Sequence, residues 1–115
     1  MKYPLSQLIA PLMATALTMF VSSAFAGNAA SLKIQKDFSM ACAEAFKISH
    51  PDDTQGLGGK ICECAGPESK SQGATDAVIK SETASIRKDP KHEVTDKHVL
   101  DAMKYCAIET LQALD

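Results

Sequence analysis

The chain has 115 residues, with 12 Lys/Arg against 14 Asp/Glu for a net charge of −2, no Trp and 5% aromatic residues. Its charges are interspersed and no basic run is longer than Arg87-Lys88, so it lacks the electrostatic footprint of a nucleic-acid binder. The length allows one small domain with a modest hydrophobic core.

Residues 1–26, MKYPLSQLIAPLMATALTMFVSSAFA, have the layout of a secretory signal peptide. Lys2 and the free amine give a positive start, an apolar stretch follows from Leu5 to Val21, and Ala24-Phe25-Ala26 supplies the small-x-small cleavage site. Gln7, Pro11 and several Ser/Thr interrupt the apolar run, which makes a membrane anchor the weaker reading. The first cysteine is Cys42, so no lipid attachment point lies at the cleavage site. Cleavage leaves residues 27–115 as a single helical domain, 89 residues with 11 Lys/Arg and 14 Asp/Glu. The expected destination is the periplasm, with no membrane association after cleavage.

The remainder reads as all-α, a small bundle of about four helices. From Ser31 to Ser49 the apolar residues Ile34, Phe38, Ala41, Cys42 and Ala45 follow the i, i+4, i+7 spacing of one helix face. Ser31 is placed to cap its start, and His50-Pro51 stops it because the residue before proline is pushed out of the α region. A short second helix is expected from Asp53-Thr54, carrying Leu57, Ile61 and Cys64, with Gly66-Pro67 ending it. A third runs from about Thr75 to about Arg87 and turns Val78, Ile79, Thr83 and Ile86 inward, before Asp89-Pro90 breaks the chain. The fourth should span about 96 to about 113, with Thr95 as N-cap and Val94 and Val99 as a hydrophobic staple. Its inner face carries Val99, Met103, Cys106 and Thr110, with Ala102, Ala107, Leu111 and Leu114 close by. Met40 and Met103 fall at helical spacing among these residues and read as core filler.

Cys42, Cys62, Cys64 and Cys106 are the four cysteines. An even count in a small exported domain points to a disulfide framework. On a helix Cys62 and Cys64 project roughly 200° apart, so they suit two different partners, and Cys42 and Cys106 on the flanking helices are those partners. Which pairs with which is open: Cys42–Cys62 with Cys64–Cys106, or the crossed arrangement.

The alternative use of Cys62 and Cys64 is as thiolates in a periplasmic copper or zinc binding protein. The histidines do not strengthen it. His92 and His98 are six apart around a helix start, and Glu93 lacks the partners of an H-E-x-x-H zinc site. Catalysis has no constellation to stand on. C-E-C is not the C-x-x-C of a redox enzyme, and the acidic Glu63 between the cysteines would raise a thiol pKa. No catalytic residue, metal ligand or cofactor is therefore assigned, and the chain is not expected to be an enzyme.

Recognition remains. The loops HPDDTQGLGG (50–59) and GPESKSQGATD (66–76) are long, polar and glycine-rich, and stapled loops make good recognition elements because less ordering entropy is lost on binding. His50, Asp52, Asp53 and Gln55 are the candidate partner-binding residues.

The stretch FSMACAEAF (38–46), a helix bearing Cys42, resembles the first helix of periplasmic immunity proteins for type VI secretion amidase effectors. MKYCAIETL (103–111) resembles the late cysteine-bearing helix of that group, whose members are small, helical and exported. The Cys62-Glu63-Cys64 pair departs from the group's pattern. The resemblance implies an inhibitor that binds and blocks a cell-wall amidase. The expected partner is thus a periplasmic protein, with a homodimer as a further arrangement.

Overall fold

The computed structural model of the protein describes residues 29–114. The signal peptide assigned to residues 1–26 lies outside them. Four helices and no strand are present among the described residues. They are α1 (residues 29–49), α2 (Leu57–Ser71), α3 (Asp76–Lys88) and α4 (Lys97–Gln112).

α2 is the central plank. Cys42–Cys62 ties it to α1 with Cα atoms 5.6 Å apart, and Cys64–Cys106 ties it to α4 at 5.8 Å. Both separations lie in the ordinary disulfide range. The pairing left open by the sequence is therefore resolved as the uncrossed one, with the two cysteines of the C-E-C stretch reaching opposite neighbours. The closed loops span 20 and 42 residues, for which the chain-entropy model gives about 3–4 kcal/mol of stabilisation each. Two disulfides are compatible with an oxidising compartment such as the periplasm or the cell exterior.

The core is small. Phe38 and Ala41 from α1, Cys62 and Ala65 from α2, Ile79 and Ile86 from α3, and Val99, Ala102 and Cys106 from α4 are buried, joined by Ala74. Close backbone approach stands in for bulky side chains. Gly66 lies where an added Cβ would fall on the Gln35 carbonyl and the Ser39 hydroxyl of α1, and a Cβ on Gly58 would fall on the Phe46 ring.

Several helix ends differ from expectation. α1 is already helical at residue 29, so Ser31 is not its cap. Its hydroxyl instead donates to Asp76 Oδ1 (3.0 Å) at the start of α3 and accepts from Gln35 Nε2 (3.0 Å). The Lys70 ammonium donates to the same Asp76 oxygen at 2.9 Å. These two donors, Lys70 first, hold the Asp76 carboxyl below its ordinary value.

α2 starts at Leu57, after Gly56 in the left-handed region (φ 69°), rather than at Asp53. Asp53 acts from outside the helix, its two carboxylate oxygens accepting from the Leu57 and Gly58 amides at 3.1 and 2.8 Å. Nor does Gly66-Pro67 end the helix, which carries Pro67 inside it and continues to Ser71. Proline removes one ladder bond, leaving the Glu63 carbonyl without its helical donor. The Ser39 hydroxyl of α1 takes that role at 3.5 Å. The second polar loop accordingly shrinks to residues 72–75, since 66–71 are helical.

α3 is close to expectation: Thr75 caps it through Val78 N–H (3.2 Å), and Ile79, Thr83 and Ile86 are buried, with Val78 half-buried. The cap of α4 falls one residue later than Thr95. Asp96 Oδ1 accepts from the Val99 amide at 3.0 Å. Thr95 is used elsewhere, donating to Glu82 Oε1 at 3.3 Å. Glu82 is a buried carboxylate on the inner face of α3, and His92 Nε2 lies 3.4 Å from its other oxygen. Together they tie the α3–α4 connection to α3. Leu111 and Leu114, expected near the core, are exposed.

Candidate binding face

Leu32, Lys36, Met40 and Ala43 recur at i, i+4, i+8 and i+11 and form a ridge along α1. They lie roughly opposite the core stripe of Ile34, Phe38 and Ala45 on a helical wheel. Gly59, Glu63 and Pro67 form the facing edge of α2. Between the two, with Gln35 and Ser39, runs a groove of about 590 Å³. It is open to solvent along the α1 side, where Leu32 is 60% and Met40 49% exposed. Met40 thus lines a surface groove instead of filling the core, whereas Met103 does pack against the core.

The walls are mainly apolar, with one charge of each sign: Lys36 on α1 and Glu63 on α2. The Glu63 carbonyl freed by Pro67 and the Ser39 hydroxyl that reaches it belong to residues of this same groove.

A second cavity of about 360 Å³ is lined by Ala43, Phe46, Lys47, His50, Pro51, Asp53, Gly56 and Gly59. It shares Ala43 and Gly59 with the groove, so the helical groove continues into the loop singled out from the sequence. Of the four loop residues named there, His50 and Asp53 line this cavity, while Asp52 and Gln55 are exposed and do not. The His50 ring is tilted against Phe46 with centroids 4.5 Å apart. Hydrogen bonding from the Gly58 amide, joined by Leu57 and Gly56, holds the Asp53 carboxyl below its ordinary 3.8 against the opposing effect of desolvation. Asp53 is therefore a charged capping residue that sets the loop's shape. The bond from the Asp53 amide to the His50 carbonyl (3.1 Å) closes the turn from the other side.

His50 also borders a smaller cavity of about 130 Å³ with His92, Met103 and the Cys42 end of one disulfide. Among the described residues no group of three or more His, Cys, Asp or Glu is arranged to hold a metal ion. Cys62 and Cys64 are each bonded to a different helix, so the thiolate pair that a soft-metal carrier would use does not exist in this oxidised form.

The loop half of this face was legible as a polar, glycine-rich connector. Its groove half was not named from the sequence, although the second apolar stripe on α1, opposite the core stripe, was the signal that pointed to it. Glu82 was also missed, and its signal is a carboxylate set within the Ile79, Thr83 and Ile86 stripe. Comparison of the chain with protein-family models, curated proteins and solved structures gave no match.

Proposed function

We propose that this protein is an exported periplasmic binding protein that acts as an inhibitor, and that its target is a peptidoglycan-degrading amidase, as in effector immunity. The observation that carries this reading is a continuous face in which an apolar groove between two disulfide-joined helices runs into a loop ordered by the Asp53 carboxylate. A face of this kind suits protein recognition because its backbone is ordered before the partner arrives, so little conformational entropy is lost on binding. The Cys42–Cys62 disulfide joins α1 to α2 and so holds the two walls at fixed separation. The helix-borne resemblance at residues 38–46 and 103–111 supplies the amidase as the partner class.

The test is a direct one. The disulfide-bonded protein is titrated into a purified cell-wall amidase while release of peptide from peptidoglycan is followed, and the complex is sought by size-exclusion chromatography. Stoichiometric loss of activity with a co-eluting complex is expected. Full activity of a panel of periplasmically delivered amidases, with no co-elution, would overturn the amidase assignment.

A further inference from the structure

Among the five described glycines, Gly59 alone has no reason within the described residues to be glycine. Gly56 and Gly73 adopt positive φ, and Gly58 and Gly66 sit where a Cβ would strike Phe46 or the α1 backbone. A Cβ on Gly59 would meet nothing within 4 Å among the described residues, and its backbone is helical. Glycine in a helix is less favourable than alanine, so the chain forgoes stability there with no internal return. Glycine also serves to let something approach the backbone closely. At Gly59 the approaching object has to come from outside the described residues, a partner once residues 1–26 are removed as the signal peptide proposed above, and Gly59 stands in the wall of the groove.

Resting on the binding function proposed above, we infer that the α1–α2 groove receives an amphipathic α-helix of the partner protein, its apolar ridge passing over Gly59. From Leu32 to Ala43 the α1 ridge rises about 16 Å, three turns of helix. It runs along i, i+4 spacing, as does the Gly59, Glu63, Pro67 edge. Two such ridges, the α2 one lowered at Gly59 where no side chain projects, form the trough into which a third helix packs its own ridge. The polar groups orient it. Lys36 on the α1 wall calls for an acidic flank on that side, and Glu63 on the α2 wall calls for a basic one. A single opposite pair fixes which way round the helix lies, since the reversed flanks would place like charges together. A lone acyl chain would satisfy neither wall and would leave Leu32 and Met40 largely in water.

The experiment uses the full disulfide-bonded chain and a peptide of about four turns, locked as a helix. The peptide has leucines at i, i+4, i+7 and i+11, glutamates on one flank and lysines on the other. A control peptide has the same leucines but lysines on both flanks. Binding is followed by NMR on labelled protein. The matched peptide should shift Leu32, Lys36, Met40, Ala43, Gly59 and Glu63, and the control, which meets Lys36 with a lysine in either direction, should bind several-fold more weakly. Gly59→Phe, which builds its ring into open space, should weaken binding at least about tenfold while leaving the melting temperature unchanged or higher. Met40→Glu at an exposed position should weaken it similarly, and Lys36→Glu should remove the preference for the matched peptide.

Shifts centred instead on the exposed Leu100, Ile108 and Leu111 of α4 would overturn the inference. So would undiminished binding by Gly59→Phe, no binding at all, or dodecanoate competing as strongly as the peptide. Self-association of the chain that disappears in Gly59→Phe would give the groove to a second copy and overturn it equally. Amidase inhibition that survives Gly59→Phe would retire the helix-in-groove reading alone. Peptide binding in the groove without amidase inhibition would retire only the amidase.

Discussion

The two sides of α2 treat the same residue type in opposite ways. On the inner side, Gly58 lets the Phe46 ring come within contact distance and Cys62 is buried between the helices, while Gly66, two turns from Gly59 on nearly the same face, is closed by the α1 backbone. On the outer side, Gly59 faces open space and Glu63 and Pro67 line a groove. Gly58 and Gly59 are adjacent in the chain, yet one is buried and the other exposed, because a helix turns 100° per residue. The lesson is that small residues of one helix close the bundle where α1 reaches them and leave it open where α1 does not. Only the closed side is accounted for by the molecule's own stability.

That contrast can be strained at graded cost. Removing the disulfides attacks the inner side hardest. Cys64→Ala with Cys106→Ala should lower the unfolding free energy by about 4 kcal/mol and Cys42→Ala with Cys62→Ala by about 3 kcal/mol, read from urea denaturation of the two variants. The longer closed loop, 42 against 20 residues, sets the order. Equal losses would show that native-state packing, not loop closure, dominates.

Next in size are the glycines themselves. Gly66→Ala forces its methyl against the Gln35 carbonyl, a backbone atom that cannot swing away, and should destabilise by about 1–3 kcal/mol. Gly58→Ala meets the movable Phe46 ring and should lose less. Gly59→Ala should gain up to about 1 kcal/mol. Thermal melts of the three variants check the ranking, and a destabilised Gly59→Ala would break the inner-versus-outer distinction.

The helix caps give a smaller effect. Asp96→Ala should cost about 1 kcal/mol through loss of the bond to the Val99 amide. Thr95→Val acts through a different group, freeing one oxygen of buried Glu82, and should cost about 1 kcal/mol, the net worth of a typical hydrogen bond. A double variant whose losses add would show that the two residues do separate jobs.

Last is the pH response of the loop that continues the groove. The Asp53 carboxyl has a folded value below its ordinary 3.8, so its contribution is fully present above 3.8 and fades as pH falls through the lower folded value. Melting temperatures of the native chain and of Asp53→Asn should therefore differ at neutral pH and draw together in acid below about 3.8. A constant gap across that window would show that the carboxylate's charge does not matter to the cap.

How much of this was legible beforehand follows from where each signal resides. The third helix was readable nearly to its ends because Thr75 and the Ile79, Thr83, Ile86 stripe are local features. The start of α2 was misplaced because Asp53 caps from four residues away, around a left-handed Gly56. Its end was misplaced because Pro67 usually stops a helix, and the donor that the Glu63 carbonyl receives from Ser39 comes from a neighbouring helix. On α4, two adjacent cap-competent residues compete, and the buried Glu82 from α3 draws Thr95 away and leaves Asp96 to cap.

By itself, then, the sequence determined the helical class, the approximate helix count and the need for two staples. Apolar periodicity and an even cysteine count in a short chain act locally or by composition. Tertiary structure alone decided which cysteines pair, that α2 runs through its proline, and that α1 and α2 leave a groove over Gly59. Each of these depends on which helix lies beside which. The free energy of that choice comes from burial and contacts between residues far apart in the chain, and no window along the sequence contains them.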